Sequence, residues 1–220
     1  MSIPRRFHVV WVGDETRRPD DLIQTWRNMH PATEVKVWGN RELSETLWIN
    51  AKHMRDFANR ELSGVADLMR WEILWREGGV AVDADSICRQ AFPEWLFDCE
   101  MFAAWENEIV RPGLVAMGVL GTHAGNPFIG RIIEDIRQEK DLSDRMAWEV
   151  LGPGRLTAAY RKYGYRNLTV LPSHFFFPRH FTGSTYSGGG PVYAEQYWDS
   201  TGKLLGADFR QLADGVGGDR

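Results

Sequence analysis

The twenty residues from Ala66 to Asp85 constrain the fold of this chain more than any other part of it. They run as a helical stretch, a Gly78-Gly79 stop, the apolar Val80-Ala81-Val82, and then two aspartates, Asp83 and Asp85. Side chains two apart on an extended segment point the same way, so Asp83 and Asp85 are expected to share a face, with Ala84 on the other. Two oxygen donors at a strand end suit a hard divalent cation such as magnesium or manganese. Water and substrate phosphates usually complete such a shell, so the spacing predicts a phosphate-bearing ligand.

The helix before that strand adds to the pattern. Asp67 and Arg70 are three apart and therefore neighbours, while Leu62, Val65, Ala66, Met69 and Ile73 form a separate apolar stripe for the core. The polar pair is then expected to look into a cleft. Read alone, the same pair is also an ordinary i,i+3 ion pair.

Alternation along the chain sets the fold class. Arg6 to Trp11 reads as a buried strand, Pro19 to Met29 as an amphipathic helix and Thr33 to Trp38 as a second strand. Helical patterns follow over 40–48, 50–59 and 64–76. Beyond the Val80 to Val82 strand come strands at 101–104 and 114–120, helices at 128–138 and 156–163, and a short strand at 169–171. Strands alternating with helices predict an α/β fold, with a mainly parallel central sheet flanked by helices. Ligands then sit at the carboxyl ends of the strands, where Trp11 and Asp83 to Asp85 fall.

These residues resemble a family. Asp67, Arg70, Leu74, Gly78-Gly79, Asp83 and Asp85 are similar, in order, to the signature of the sugar-binding, Asp-x-Asp-containing glycosyltransferases. That group includes glycosyltransferase family 32 and, more distantly, the glucosylating domains of large clostridial toxins. Ile3-Pro4 through Trp11 and Gly13 resembles the family's opening, and Trp26, Pro31 and Trp38 continue it. After about Trp95 the likeness thins to Asn126-Pro127, Gly152-Pro153 with Leu156-Thr157, and Leu171-Pro172 before Phe175-Phe176-Phe177-Pro178.

The resemblance implies a GT-A nucleotide-diphosphate-sugar transferase fold and a metal-dependent, retaining hexosyltransferase-like enzyme. Its donor would be a UDP- or GDP-linked sugar, and its acceptor a glycan, lipid, protein or modified nucleic acid. It assigns catalysis to Asp67, Arg70, Asp83 and Asp85, and nucleotide-sugar binding to Trp11, Val10, Asp67, Arg70, Asp83 and Ala84. Manganese or magnesium would be held by Asp83 and Asp85. The alternatives are a non-catalytic sugar-nucleotide binder and a haloacid-dehalogenase-like phosphatase using Asp83.

One departure stands out. Gln196 occupies the place where family members often carry a metal-binding histidine, and Thr201-Gly202 replaces a Ser-Trp pair. An amide oxygen suits a hard cation better than a transition metal, so Gln196 is a candidate ligand, with the neighbouring Glu195 as the other.

Composition agrees with a compact enzyme. Lysine and arginine number 26 against 30 acids, a net charge of −4, which gives no bulk attraction to nucleic acid or an anionic membrane. Two cysteines, Cys88 and Cys99, suggest neither a zinc site nor a disulfide framework. No run of residues reaches the length of a membrane span, and a cytoplasmic bacterial or viral enzyme is expected. One domain over 1–213 is expected, with 214–220 as a flexible tail. Gly183 to Gly190 reads as a mobile loop able to close over a donor, and Trp48, Trp75 and Trp95 as packing groups.

Overall fold

The computed structural model describes residues 2–142 and 144–199; the expected tail and Thr201-Gly202 lie outside the described residues. The first half holds β1 (Arg6–Val10), α1 (Asp20–Met29), β2 (Glu34–Trp38), α2 (Asn40–Glu45), α3 (Ala51–Ala58), α4 (Leu62–Glu77), β3 (Gly79–Val82) and β4 (Ser86–Cys88). The second holds α5 (Glu94–Asp98), β5 (Met101–Asn107), β6 (Arg111–Val115), β7 (Val119–Thr122), α6 (Pro127–Gln138), α7 (Ala147–Val150), α8 (Pro153–Tyr163), β8 (Leu168–Leu171) and β9 (Ala194–Gln196).

Seven strands form one sheet in the order β2-β1-β3-β7-β5-β6, with β8 also on β5. β1, β2, β3, β5 and β8 run one way, and β7 and β6 run against them. The period of two along each strand divides the core between the two faces. Val10, Ala81, Met101 and Ala103 pack on the side of α4, α6 and α8. Phe7, Val9, Val80, Val82, Phe102 and Ala104 pack on the other side with Trp26 of α1 and the aromatic group Phe92, Phe176 and Phe177.

Three expectations change here. Helix α4 is buried well beyond one stripe, because it lies under the sheet with α3, α6 and α7 against it; Leu62, assigned to the stripe, is 42% exposed. The expected strand 114–120 is two strands, β6 and β7, broken at Ala116-Met117-Gly118. Both lie along β5, and Ala116 N still donates to Ala104 O at 2.9 Å, but the register shifts across the break. Trp75 and Trp95 emerge to solvent, whereas Trp48 is buried.

The expected mobile loop is also fastened. Tyr186 stacks on His174 with ring centroids 4.1 Å apart, and its hydroxyl accepts from Gly190 N at 2.9 Å. No helix among the described residues is long and apolar enough to cross a membrane.

The turn from α4 into β3 depends on glycine. Gly78 and Gly79 have φ of 64° and 93°, and a β-carbon on Gly79 would lie 2.7 Å from Arg6 O. Gly79→Ala is therefore expected to lower stability by about 1–3 kcal/mol through left-handed strain and the clash. Urea denaturation checks this. A loss below a few tenths of a kcal/mol would show that the turn can relax.

Candidate functional site

The site forms where four pieces of chain meet: α4, the end of β3, the break between β6 and β7, and the two-stranded sheet of β4 with β9. Asp83 leaves β3 with its N–H donating to Gly118 O at 2.9 Å. The chain then turns at once, as Ser86 donates to Asp83 O through both its N–H (3.2 Å) and its Oγ (2.6 Å). Asp83 to Asp85 is thus a tight turn rather than the extended segment that the spacing suggested. The two carboxylates still converge, because the turn brings them to one partner.

That partner is Gln196. Its Nε2 donates to Asp83 Oδ2 at 3.0 Å and to Asp85 Oδ1 at 2.8 Å. β4 and β9 pair antiparallel with Ser86 opposite Gln196, which sets this side chain over the turn. Asp85 is held further by Asp199, whose backbone N–H donates to Asp85 Oδ2 at 2.7 Å. Gln196 Oε1 is buried with no hydrogen-bond partner among the described residues. Glu195, the other candidate, faces away and takes both Arg89 and Arg179.

Arg70 reaches the same carboxylates from below. It is 6% exposed, and its Nη2 donates to Asp83 Oδ1 while its Nη1 donates to Met117 O at 2.8 Å. The strand break frees the Met117 and Gly118 carbonyls for Arg70 and Asp83. Gly118 must be small here, since a β-carbon would stand 2.9 Å from Asp83 Oδ2 and 3.2 Å from Gln196 Oε1. Asp67 is different from the simple ion pair read in the sequence. Its nearest cation, Arg70, is 4.0 Å away and committed to Asp83, and its carboxylate makes no hydrogen bond among the described residues.

Electrostatics follow from this crowding. Burial pushes the Asp67 carboxyl up to about 7, against the pull of Arg70. Asp85 is also held well above the usual carboxylate range, by burial first and then by the negative charges of Asp83 and Asp199. Asp67, Asp83 and Asp85 crowd around Arg70, so the turn favours a ligand that brings positive charge.

Trp11 lies just past β1, half-buried, with its indole N–H donating to Asp14 O at 2.9 Å. Asn40 ties the following loop through two hydrogen bonds with the Gly13 backbone, at 2.8 and 2.7 Å. Val10 and Ala84 bury their side chains in opposite core clusters, which leaves only their backbones for a ligand. His8 is fully buried; Trp38 Nε1 donates to its Nδ1 at 3.1 Å, and its Nε2 therefore faces Gly78 O (2.8 Å) as a donor. Sequence reading missed Asp199 and the Met117 and Gly118 carbonyls, since backbone groups at a strand break carry no side-chain signature.

Comparison with known proteins now bears on this geometry. The family described as "Glycosyltransferase sugar-binding region containing DXD motif" matches residues 16–101, a span that contains Asp67, Arg70, Asp83 and Asp85. Residues 16–101, under half of the chain, thus resemble the DXD region of the sugar-binding glycosyltransferases. It is 23% identical over 143 residues to inositol phosphoceramide mannosyltransferase 3 of Schizosaccharomyces pombe, covering 61% of this chain and 37% of that protein. It is also 23% identical over 122 residues to subversion of eukaryotic traffic protein A of Legionella pneumophila, covering 44% and 19%. The chain therefore spans well under half the length of either relative.

Solved structures agree on architecture. The PaToxG glycosyltransferase superposes with a TM-score of 0.54 at 14% identity, over 74% of this chain and 69% of that one. The UDP-bound glycosyltransferase domain from the YGT toxin gives 0.53 at 8% identity, over 77% and 80%. The fold of the chain is of the GT-A type. Trp11 and Gln196 lie outside the residues that the family matches.

Proposed function

We propose that this protein is a GT-A glycosyltransferase that moves a sugar from a UDP- or GDP-linked donor to an acceptor, with manganese or magnesium at Asp83 and Asp85. A single domain over 1–213 would do this. The observation that carries the reading is the convergence of two carboxylates on one buried amide at a strand end, beside an arginine and a carboxylate, Asp67, that makes no hydrogen bond among the described residues.

The residues present fit a hard cation. Asp83 and Asp85 offer carboxylate oxygens, and Gln196 would add its amide oxygen once Oε1 exchanges places with the Nε2 that now donates to both carboxylates, all hard donors. Among the described residues no group of three or more His, Cys, Asp or Glu gathers as a metal cage. Such a partial shell leaves room for water and diphosphate oxygens, the habit of magnesium and manganese at phosphate sites. When bound, the cation neutralises charge on the diphosphate leaving group.

The chain's own residues do the rest. Arg70 locks the Asp83 rotamer through its bond to that carboxylate. Asp67 accepts a hydroxyl of the donor sugar, which supplies the missing hydrogen bond and fixes the ring for attack. Trp11 stacks on the nucleotide base. In the transfer, an acceptor oxygen bonds to the anomeric carbon as the bond from that carbon to the diphosphate breaks, and the acceptor's proton leaves with the diphosphate. Retention of configuration is the outcome the family resemblance implies.

Titration of UDP and GDP into the protein, followed by tryptophan fluorescence or calorimetry, tests the donor site. Trp11→Ala is expected to weaken binding by about 1–3 kcal/mol, the worth of one base stacked on an aromatic platform. Unchanged affinity in a folded Trp11→Ala protein would return Trp11 to a purely structural role.

A further inference from the structure

The wall beside Asp67 has a second set of side chains that the motif does not supply. Gly152, which caps α8, is the corner between them. A β-carbon there would lie 2.8 Å from Asp67 Oδ2 and 3.2 Å from the Trp148 Cα, so Gly152 fills the narrow gap between the carboxylate and the α7 backbone. Trp148 is 37% exposed. The Arg111 guanidinium lies over its ring, 4.8 Å from the centroid.

Arg111 is anchored from behind. Its Nη1 donates to Glu106 Oε1 at 2.8 Å, and the same oxygen lies 3.2 Å from His180 Nε2. Glu106 and His180 are almost fully buried, at 4% and 3% exposure. The wall then returns toward the aspartates, since His180 meets Trp198, Trp198 meets Phe177, and Phe177 comes within 3.1 Å of the Gly118 β-carbon position.

We propose that Trp148 and Arg111 form the acceptor subsite, and that it takes an uncharged saccharide ring. The proposal rests on the glycosyltransferase reading above. An indole face offers a flat apolar surface for the C–H face of a sugar, and a guanidinium laid along it offers donors to the sugar's hydroxyls. The buried Glu106 carboxylate already balances the Arg111 charge, so this pair favours a neutral polar ligand over a phosphate or acid. The α7 backbone at Trp148 adjoins Gly152, which in turn adjoins Asp67, the proposed donor-sugar residue, so the pair lies on the side of the site that an acceptor oxygen must reach for transfer. Trp148 and Arg111 are positioning residues rather than catalytic ones.

The test uses methyl glycosides of glucose, galactose and mannose, with glucose 6-phosphate as the charged arm, each read by saturation-transfer NMR against protein saturated with UDP or GDP. At least one methyl glycoside is expected to bind, and Trp148→Ala to weaken it about tenfold, with partial recovery in Trp148→Phe. Nucleotide affinity, measured separately, is expected to be the same in all three proteins. Equal glycoside binding by wild type and Trp148→Ala, no glycoside binding at all, or preference for glucose 6-phosphate would each overturn the subsite. Failure of wild type to bind either nucleotide would overturn the glycosyltransferase reading itself, and the proposal with it.

Discussion

Asp85→Asn is expected to cut cation-dependent donor turnover by about two orders of magnitude or more while leaving the protein at least as stable as wild type. The activity loss follows from removing one ligand charge at the proposed dication site, a larger change than the 10–100-fold cost typical of outer-shell partners. The stability claim follows from the neighbours. Burial, Asp83 and Asp199 all disfavour the charged form of Asp85, so an isosteric neutral side chain relieves repulsion. The asparagine keeps one acceptor oxygen, so it holds either the Gln196 Nε2 or the Asp199 N–H bond and gives up the other, a loss of about 1 kcal/mol set against the relieved repulsion. Thermal melting and nucleoside diphosphate release, measured on the same preparation, separate the two effects. Turnover near the wild-type rate, or a protein that fails to fold, would contradict this account of Asp85.

Arg70→Ala is expected to act the other way, with a stability loss of about 3 kcal/mol or more together with lost activity. The guanidinium is buried and satisfies both Asp83 and the Met117 carbonyl. Removing it strands a half-buried carboxylate and a backbone acceptor, the situation in which breaking a buried pair costs most. Arg70→Lys keeps a charge but not the fork, so it should recover only part of the loss. Asp67→Asn provides the contrast. Asp67 reaches Arg70 only at 4.0 Å, makes no hydrogen bond among the described residues, and burial disfavours its charged form, so Asp67→Asn should leave the protein at least as stable as wild type. Urea denaturation of the three variants checks the order. Equal losses from Arg70→Ala and Asp67→Asn would restore the simple i,i+3 pair.

The contrast between Asp67 and Asp83 shows where sequence reading works and where it stops. Helix α4, its glycine stop and the Asp-x-Asp turn are contiguous, so their residue order and local periodicity announced both the elements and the family. Arg70's choice of partner is a tertiary matter. Three positions along a helix suggested Asp67, whereas the pairing comes from Asp83, delivered by a strand that packs alongside α4. The β4–β9 pair was illegible for a related reason. Each strand has three residues, too few for a period, and they lie more than a hundred positions apart. Gln196 was singled out only because a family pattern marked its place, and Asp199 had no such marker. The strand break at Ala116 to Gly118 was hidden inside a continuous apolar run, because periodicity does not report a register shift.

The most direct test is a screen of UDP- and GDP-sugars with the wild-type protein in manganese, in magnesium and with chelator, reading nucleoside diphosphate release, with Asp85→Asn in parallel. The account predicts release from at least one donor that needs the cation and disappears in Asp85→Asn. No release from any donor together with no nucleotide binding, or release that persists in Asp85→Asn and in chelator, would contradict it.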